Sequence, residues 1–291
     1  MIKNAMFFSM SEKVNTDVLN KALSKQQYSG IGSQQAEAFG FVPFAEGMDL
    51  LYSVSGVRVG AVRFDKKSLP SSAVKQRVKE RAKDLEAQQG FTPGRKQLRE
   101  LKDEVVNSFL SRIPASSKVV NFFLWDDLLV IDTSSAKTAD TVISLLVKCM
   151  DRFPVTVIQT EYSPAERMTY WLTSGEIPSA FTIDNEVDMK TADDSKASVR
   201  WKNETVNEND ACEHQQRGKR VVKMAMTWAD KISFVFNEKF VVGRIKAQDI
   251  LVAKVDEESD AADTDANIAI FAGELYSLLK DLITACGKEA E

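Results

Sequence analysis

The sequence has 291 residues, of which 44% are hydrophobic and 27% charged, a composition typical of a globular protein with a sizeable core. Its net charge of −4 argues at first against a partner as acidic as nucleic acid, although the distribution of charge matters more than its sum. No run approaches the roughly eighteen apolar residues of a membrane span, so we expect no membrane partner.

Residues 1–65 predict the N-terminal part of an α+β body. The apolar run Ile2–Met10 predicts a strand, and Asn15 or Thr16 is a suitable N-cap for the helix that follows. Polar and apolar residues then alternate on both sides of a Ser-Gly pair, which predicts a hairpin. Its two strands are Leu51–Val54 and Val57–Phe64, joined at Ser55-Gly56.

Residues 66–117 predict a basic helical hairpin with a thin apolar seam, which we expect to project from the body. The segment Leu69-Pro70-Ser71-Ser72 ends the preceding strand and offers hydroxyl caps to a long helix that reaches Gly90. A second helix ends before Pro114. Apolar residues recur at spacings of three and four in both helices. The residues expected to face the seam are Val74, Val78, Ala82, Leu85, Leu98, Leu101, Val105, Phe109 and Leu110.

Residues 118–183 predict a central α+β region. Two apolar strands are joined at Asp126-Asp127, and Thr133-Ser134-Ser135 is expected to cap the helix that follows. Gly175 is expected to close a later helix. The predicted elements in chain order are strands Lys118–Trp125 and Leu128–Asp132, a helix to about Met150, strand Val155–Gln159 and helix Pro164–Leu172.

Residues 184–291 predict a C-terminal α+β region that begins with a linker or long loop at 184–194, a polar and acidic stretch. A strand at Val199–Lys202, a polar stretch around His214 and a three-stranded meander follow. Because strands and helices alternate without regular βαβ units, we assign the α+β class with mixed or antiparallel sheets. The remaining predicted elements are strands Val221–Trp228, Ile232–Phe236 and Phe240–Ile245, and helices Ala247–Val252 and Ile268–Ala285.

Residues able to catalyse a reaction are scarce. His214 is the one histidine, and its surroundings contain no recognisable triad motif. Gly30-Ile31-Gly32-Ser33 lacks the lysine and the further glycine of phosphate-binding loops. The cysteines are far apart and form neither a metal spacing nor a disulfide framework, and the N-terminus lacks signal-peptide features. We therefore expect a cytoplasmic protein with no cofactor, no metal and no catalytic residue; the cysteines are Cys149, Cys212 and Cys286.

One alternative is a metal-dependent nuclease that uses Asp126, Asp127 and Asp132, because clustered carboxylates can hold magnesium. An Asp-Asp pair between two apolar runs is also typical of a hairpin turn, which is the interpretation we favour.

Positive charge is concentrated in the middle of the chain. Between Arg63 and Lys118 there are 14 Lys or Arg residues against 7 Asp or Glu, whereas residues 256–291 contain 10 acidic and 2 basic residues. Phosphate neutralisation needs cations in number, without base-reading groups. No DNA-reading motif accompanies the clusters, so the residues alone indicate a non-specific polyanion binder. A scaffold that docks an acidic protein through the basic hairpin remains the alternative.

Short motifs follow one another in a recognisable order over nearly the whole chain. They are Gly32-Ser33-Gln34, Gly40-Phe41-Val42-Pro43, Leu69-Pro70-Ser71, Leu101-Lys102-Asp103-Glu104-Val105, Ser134-Ser135-Ala136-Lys137, Trp171 to Gly175, Gly218-Lys219, Ala225-Met226-Thr227-Trp228 and Gly273-Glu274-Leu275. Their order resembles that of the recombination-associated RdgC family. The chain departs from the family at Pro114, where relatives carry an aromatic residue, and at Asn203 and Glu204, which replace a lysine and a glutamine.

The resemblance implies a ring-shaped homodimer that encloses double-stranded DNA, associates with the nucleoid and restrains the RecA recombinase by competing for DNA. It also implies that the basic residues of the chain line the inside of the ring. We expect the hairpin tip to form one dimer contact, because exposed apolar tips seldom lack a partner; its residues are Phe91, Pro93 and Pro114. The expected DNA contacts are Lys66, Lys67, Lys75, Lys79, Lys83, Arg95, Lys96, Arg200, Lys202 and Lys219.

Overall fold

A twelve-stranded antiparallel sheet runs through the computed structural model, which describes residues 2–150, 152–192, 197–247 and 261–287. The strands are β1 (Ala5–Met10), β2 (Glu37–Val42), β3 (Leu51–Val54), β4 (Val57–Lys66), β5 (Ser116–Leu124), β6 (Leu128–Asp132), β7 (Val155–Val157), β8 (Phe181–Thr191), β9 (Ser198–Lys202), β10 (Lys219–Trp228), β11 (Ile232–Asn237) and β12 (Val241–Ala247). They lie in the order β2-β4-β5-β6-β1-β12-β11-β10-β8-β9, with β3 paired to β4 and β7 paired to β1.

The helices cover both faces of one half of this sheet and one face of the other half. Within the described residues they are α1 (Thr16–Leu23), α2 (Ser71–Gln89), α3 (Arg95–Leu110), α4 (Ala136–Cys149), α5 (Pro164–Ser174), α6 (Glu208–Gln216) and α7 (Ala261–Ala285). The α+β class is therefore confirmed, and none of the described helices is long and apolar enough to cross a membrane.

Several predicted turns and caps are confirmed. The Asn15 side chain accepts a hydrogen bond from the Val18 amide at 3.1 Å and starts α1. Gly175 ends α5 with a left-handed φ of 69°. Ser55 and Gly56 both have positive φ, which suits a two-residue hairpin turn between β3 and β4.

Two hydrophobic cores lie on opposite faces of the sheet. The first packs α5, α6 and α7 against one face and includes Trp171, Ala211 and Leu278. The second packs α1 and α4 against the other face of strands β1 to β6, around Phe122 and Leu146. In the half formed by β8 to β12, most buried residues on the strands belong to the first core, whereas Val222, Val235 and Val241 are buried outside it. The opposite face of that half carries mainly polar and charged side chains, together with the buried Val235.

The helices α2 and α3 form an insertion between two strands that pair directly. Lys66 at the end of β4 is opposite Ser116 at the start of β5, so the chain leaves and re-enters the sheet at one point. Val74 in α2 and Val105 and Leu110 in α3 are buried, whereas most other residues of the two helices are exposed. The two-helix arrangement predicted from the sequence is present, whereas its projection from the body and a ring-shaped dimer stay predictions.

The loop predicted at 184–194 is wrong over the described residues, because β8 occupies Phe181–Thr191. Val187 and Met189 are buried in the first core, and they alternate with Glu186 and Asp188 on the other face. The carboxylates are compatible with a strand because cations on neighbouring strands pair with them. The many acidic residues of this segment are typical of a loop, so the alternation of buried and exposed residues was not recognised in the sequence.

Three smaller predictions also need correction. The polar stretch around His214 is the helix α6, capped by Asn207 and anchored by the buried Ala211. The serine hydroxyls do not cap α2: Pro70 is its N-cap and makes no side-chain hydrogen bond. Leu98 is exposed, and the neighbouring Gln97 is half-buried instead and donates a hydrogen bond to Gln89 of α2.

The last helix begins at Ala261 rather than at Ile268. The helix predicted at 247–252 lies outside the described residues except for Ala247, which ends β12. The domain boundaries after residues 65, 117 and 183 stay predictions.

Candidate nucleic-acid interface

The strand register brings cations together on the open face of β8 to β12. Lys202 is opposite Glu186, Arg200 is opposite Asp188, and on the other side of β8 Lys223 is opposite Asp188. Since residues directly opposite each other point to the same face, these side chains share one surface, here called the cationic face. Among the described residues it carries seven cations: Lys190, Arg200, Lys202, Arg220, Lys223, Arg244 and Lys246.

Within the described residues, three carboxylates share the cationic face, and one of them, Glu186, lies at its centre. Glu186 Oε1 lies 2.8 Å from Arg244, 3.2 Å from Lys223 Nζ and 3.3 Å from Arg200. The hydrogen bond from Arg244, with help from Lys223, lowers the pKa of Glu186 to about 2 despite partial burial. Glu186 is therefore an anion at every physiological pH, and the three cations around it leave an excess of positive charge.

The other two carboxylates have fewer partners. Asp188 Oδ1 lies 2.9 Å from Arg200 Nε, an ion pair without a well-aligned hydrogen bond. Asp184 accepts hydrogen bonds from the Thr227 hydroxyl at 3.0 and 3.2 Å.

A backbone irregularity aims Arg244 at this cluster. The pairing of β11 with β12 shifts between Ser233 and Val235, and Arg244 has a positive φ of 53° at the same place. Such bulges redirect a side chain relative to a regular strand. The guanidinium of Arg244 consequently reaches Glu186, although β10 and β11 lie between the strands that carry these two residues.

A second set of cations lies on α2 and α3. Lys75, Lys79 and Lys83 are exposed at intervals of four residues, so they form a ridge along one side of α2. Arg95 and Lys96 are exposed in the first turn of α3, which contains no acidic residue. The amides at a helix N-terminus favour anions, so cations there strengthen the attraction for a phosphate.

Lys66 and Lys67, two adjacent residues among the expected DNA contacts, both have partners within the chain. Lys66 is exposed and pairs with Glu37 at 2.9 Å. Lys67 is 8% exposed and donates hydrogen bonds to the carbonyl oxygens of Gly32 and Ser33 at 2.9 and 2.8 Å. These hydrogen bonds fix the loop that contains Gly32 and Ser33, and they direct the ammonium group of Lys67 away from solvent.

Lys219 lies on the opposite side of the sheet from Arg200 and Lys202. Its Nζ atom is 3.3 Å from His214 Nδ1 on α6, and the His214 ring meets Trp201 edge to face. The helix α6 packs on the face that holds the first core, so the structure does not bring Lys219 to the cationic face. The next residue, Arg220, points there instead, opposite Lys190.

Of the seven cations on the cationic face, the expected DNA contacts include Arg200 and Lys202 and omit the other five, which are Lys190, Arg220, Lys223, Arg244 and Lys246. For Lys190 the signal is the alternation along β8, in which Val187 and Met189 point to one face and Lys190 to the other; it becomes visible once 184–191 is understood as a strand. Arg244 has no sequence signal, because a bulge sets its direction.

The residues expected at the dimer contact differ in exposure. Phe91 is 60% exposed in the connection between α2 and α3. Pro114 is also exposed, but its assignment to the tip is wrong, because it lies between the end of α3 and β5, at the base of the helix pair. Pro93 is buried within its own chain and supports the connection.

The three aspartates considered for metal binding do not converge. Asp126 contacts Lys13 and Arg58, and Asp127, the next residue in the β5–β6 turn, contacts Lys280. Asp132, at the other end of β6, accepts hydrogen bonds from the amides of residues 3 and 4 at 3.0 and 2.9 Å. In the part of the chain that the structure describes, no three His, Cys, Asp or Glu side chains are grouped to hold a metal ion.

Comparison with known proteins gives a full-length match. A family model described as "RdgC: Putative exonuclease, RdgC" matches residues 1–289. The Recombination-associated protein RdgC of Bordetella pertussis is 34% identical, over 99% of this chain and 98% of its own length. Proteins of the same name from Janthinobacterium sp. and Burkholderia ambifaria are 34% and 35% identical, over 96% and 94% of this chain and 94% and 91% of their own lengths.

Proposed function

The chain belongs to the RdgC family, and from this premise we propose that it binds double-stranded DNA with little sequence preference. The observation that best supports the proposal is the cationic face, where seven cations outnumber three carboxylates within the described residues. Cations that neutralise phosphates provide affinity without reading bases. A sheet holds such cations at fixed spacing, which suits a regular phosphate backbone.

A net charge of −4 is compatible with this function because charge of opposite sign is concentrated in different parts of the chain. Phosphates interact mainly with the nearest cations, because at 0.1 M ionic strength salt screens the interaction between exposed charges that are more than about 10 Å apart. The lysine ridge of α2 and the first turn of α3 provide a second contact region with the same chemistry.

As the resemblance implies, we further propose that two chains close into a ring around the duplex. Basic residues would line the hole, and acidic ones would lie on the outside. A ring on DNA limits the access of the RecA recombinase, which gives the recombination-associated role. We place this activity in the cytoplasm, at the nucleoid.

The proposed mechanism uses no catalytic residue, metal or cofactor, although the matching family model is described as a putative exonuclease. Asp126, Asp127 and Asp132 are engaged by cations, a tyrosine and backbone amides, which accounts for their placement without a metal. Plasmid DNA incubated with the protein and magnesium should stay intact. Magnesium-dependent cleavage that disappears in Asp126→Ala would establish the nuclease instead.

The direct test is a binding titration with random-sequence duplex at several salt concentrations. If about six phosphates are neutralised, the logarithm of affinity should fall with the logarithm of salt at a slope of roughly −5. A slope near zero, or strong preference for one sequence, contradicts the proposal. Absence of duplex binding together with capture of an acidic protein would favour the scaffold function.

A further inference from the structure

The cationic face contains its own anion. Arg244, Lys223 and Arg200 all direct their charged groups at one atom, Glu186 Oε1. Carboxylate and phosphate oxygens accept the same charge-assisted hydrogen bonds from guanidinium and ammonium groups. In the free protein Glu186 therefore occupies, for these three cations, the position of a phosphate oxygen.

The carboxylate is fixed, whereas two of its partners can turn outward. The side chain of Glu186 is 14% exposed, but those of Arg200 and Arg244 are 56% and 50% exposed. Long cationic side chains at a surface reorient at small cost, since exposed ion pairs contribute little to stability. A phosphate that approaches the face can recruit these guanidinium groups while Glu186 stays in place.

We propose that Glu186 is an internal competitor for DNA phosphates, which lowers the affinity of the cationic face and hastens the release of bound DNA. The inference rests on the proposed DNA-binding function. Each phosphate that contacts the cluster must share cations with Glu186 and is repelled by its charge. Arg200 is additionally retained by Asp188, so its transfer to DNA costs a second ion pair.

The test compares Glu186→Gln with the natural chain on a short random-sequence duplex. The glutamine keeps the size of the side chain but removes the charge. We expect about threefold to tenfold tighter binding near physiological salt, mainly through slower dissociation. The salt slope should become steeper by about 0.9 for each additional phosphate neutralised.

Glu12→Gln is the matched control. Glu12 also pairs with a guanidinium, that of Arg152 at 3.3 Å, but it lies outside the cationic face and outside α2 and α3. It changes the net charge by the same amount, so unchanged affinity in Glu12→Gln ties the gain to position. A similar gain in both variants would mean that net charge alone is responsible, and the inference would be wrong.

A purely structural Glu186 predicts a lower melting temperature and no gain in affinity for Glu186→Gln, which overturns the inference but leaves the proposed function intact. If the natural chain itself fails to bind duplex, the proposed function is the part that fails. Should Glu186→Gln not fold, Asp188→Asn gives the second test, because it removes one of the two carboxylates that hold Arg200 and leaves only Glu186 paired with it. A smaller gain in affinity supports competition by carboxylates on this face, and no gain contradicts it.

Discussion

At the scale of single residues, burial separates basic side chains that hold the fold from those that face solvent. Lys67 is buried and donates hydrogen bonds to two carbonyl oxygens. Its neighbour Lys66 is exposed and forms an ion pair with Glu37, which lies opposite it on the paired strand β2. The pair Lys219 and Arg220 shows the same contrast, since adjacent residues in β10 point to opposite faces. Adjacent lysines or arginines are thus not equivalent candidates for DNA contact.

This difference gives a prediction for Lys67. Replacement by methionine keeps most of the side-chain length but leaves the carbonyl oxygens of Gly32 and Ser33 without their donor. We expect Lys67→Met to lower the free energy of unfolding by about 1–3 kcal/mol, measured by denaturant titration. The control Lys66→Met should leave stability nearly unchanged. Weaker DNA binding by Lys67→Met at full stability would mean that Lys67 contacts DNA after all.

At the scale of elements, β8 and the pair α2 and α3 show two ways to present charge. In β8 the acidic residues are tied to neighbouring strands, and the buried Val187 and Met189 fix which face they occupy. In α2 the lysines extend from a helix that buries little, with Val74 as its one buried residue. The charged side chains of the strand are therefore held in place by their ion pairs, whereas the exposed lysine side chains of α2 are free to reorient.

The lysine ridge of α2 should contribute to DNA affinity without contributing to stability. For the combined change of Lys75, Lys79 and Lys83 to glutamine, we expect weaker duplex binding and a salt slope shallower by up to about 2.7, from about 0.9 per phosphate contact. The melting temperature should change little because these side chains are exposed. An unchanged salt slope would remove α2 from the DNA contact and leave the cationic face as the main one.

At the scale of the whole molecule, one continuous sheet carries two differently covered halves. Strands β1 to β6 are covered on both faces, by α1 and α4 on one side and by the first core on the other. In the half from β8 to β12 the first core covers one face and the other is cationic. This asymmetry gives the molecule a basic surface despite its acidic sum.

Assembly is the whole-molecule property most open to test. Phe91 is a large apolar side chain exposed between α2 and α3, which favours a partner at that place. If the proposed ring forms there, Phe91→Ser should shift the protein from dimer toward monomer in sedimentation and speed its loading onto circular DNA. Linear duplex, entered by its ends, should show the smaller change.

The matched control is Tyr170→Ser, which removes an exposed aromatic residue on α5, away from the helix pair. It should leave the dimer intact. A natural chain that sediments as a monomer at micromolar concentration yet binds DNA fully would show that the ring is wrong.

Much of the local structure could be predicted from the sequence by itself. The turn at Ser55-Gly56, the cap at Asn15, the end of α5 at Gly175 and the meander of β10 to β12 depend on short-range preferences of a few residues. The family resemblance rests on ordered short motifs and is likewise a property of the sequence.

The candidate site was decided mainly by tertiary structure. Whether Arg220 or Lys219 reaches the cationic face depends on strand register, and Arg244 reaches Glu186 only because of a bulge in β12. The acidic residues of β8 look like a loop until Arg200 and Lys223 are brought beside them from positions distant in sequence. Composition sets how many charges the chain has, but the face on which each one lies follows from pairings between distant strands, which no local preference encodes.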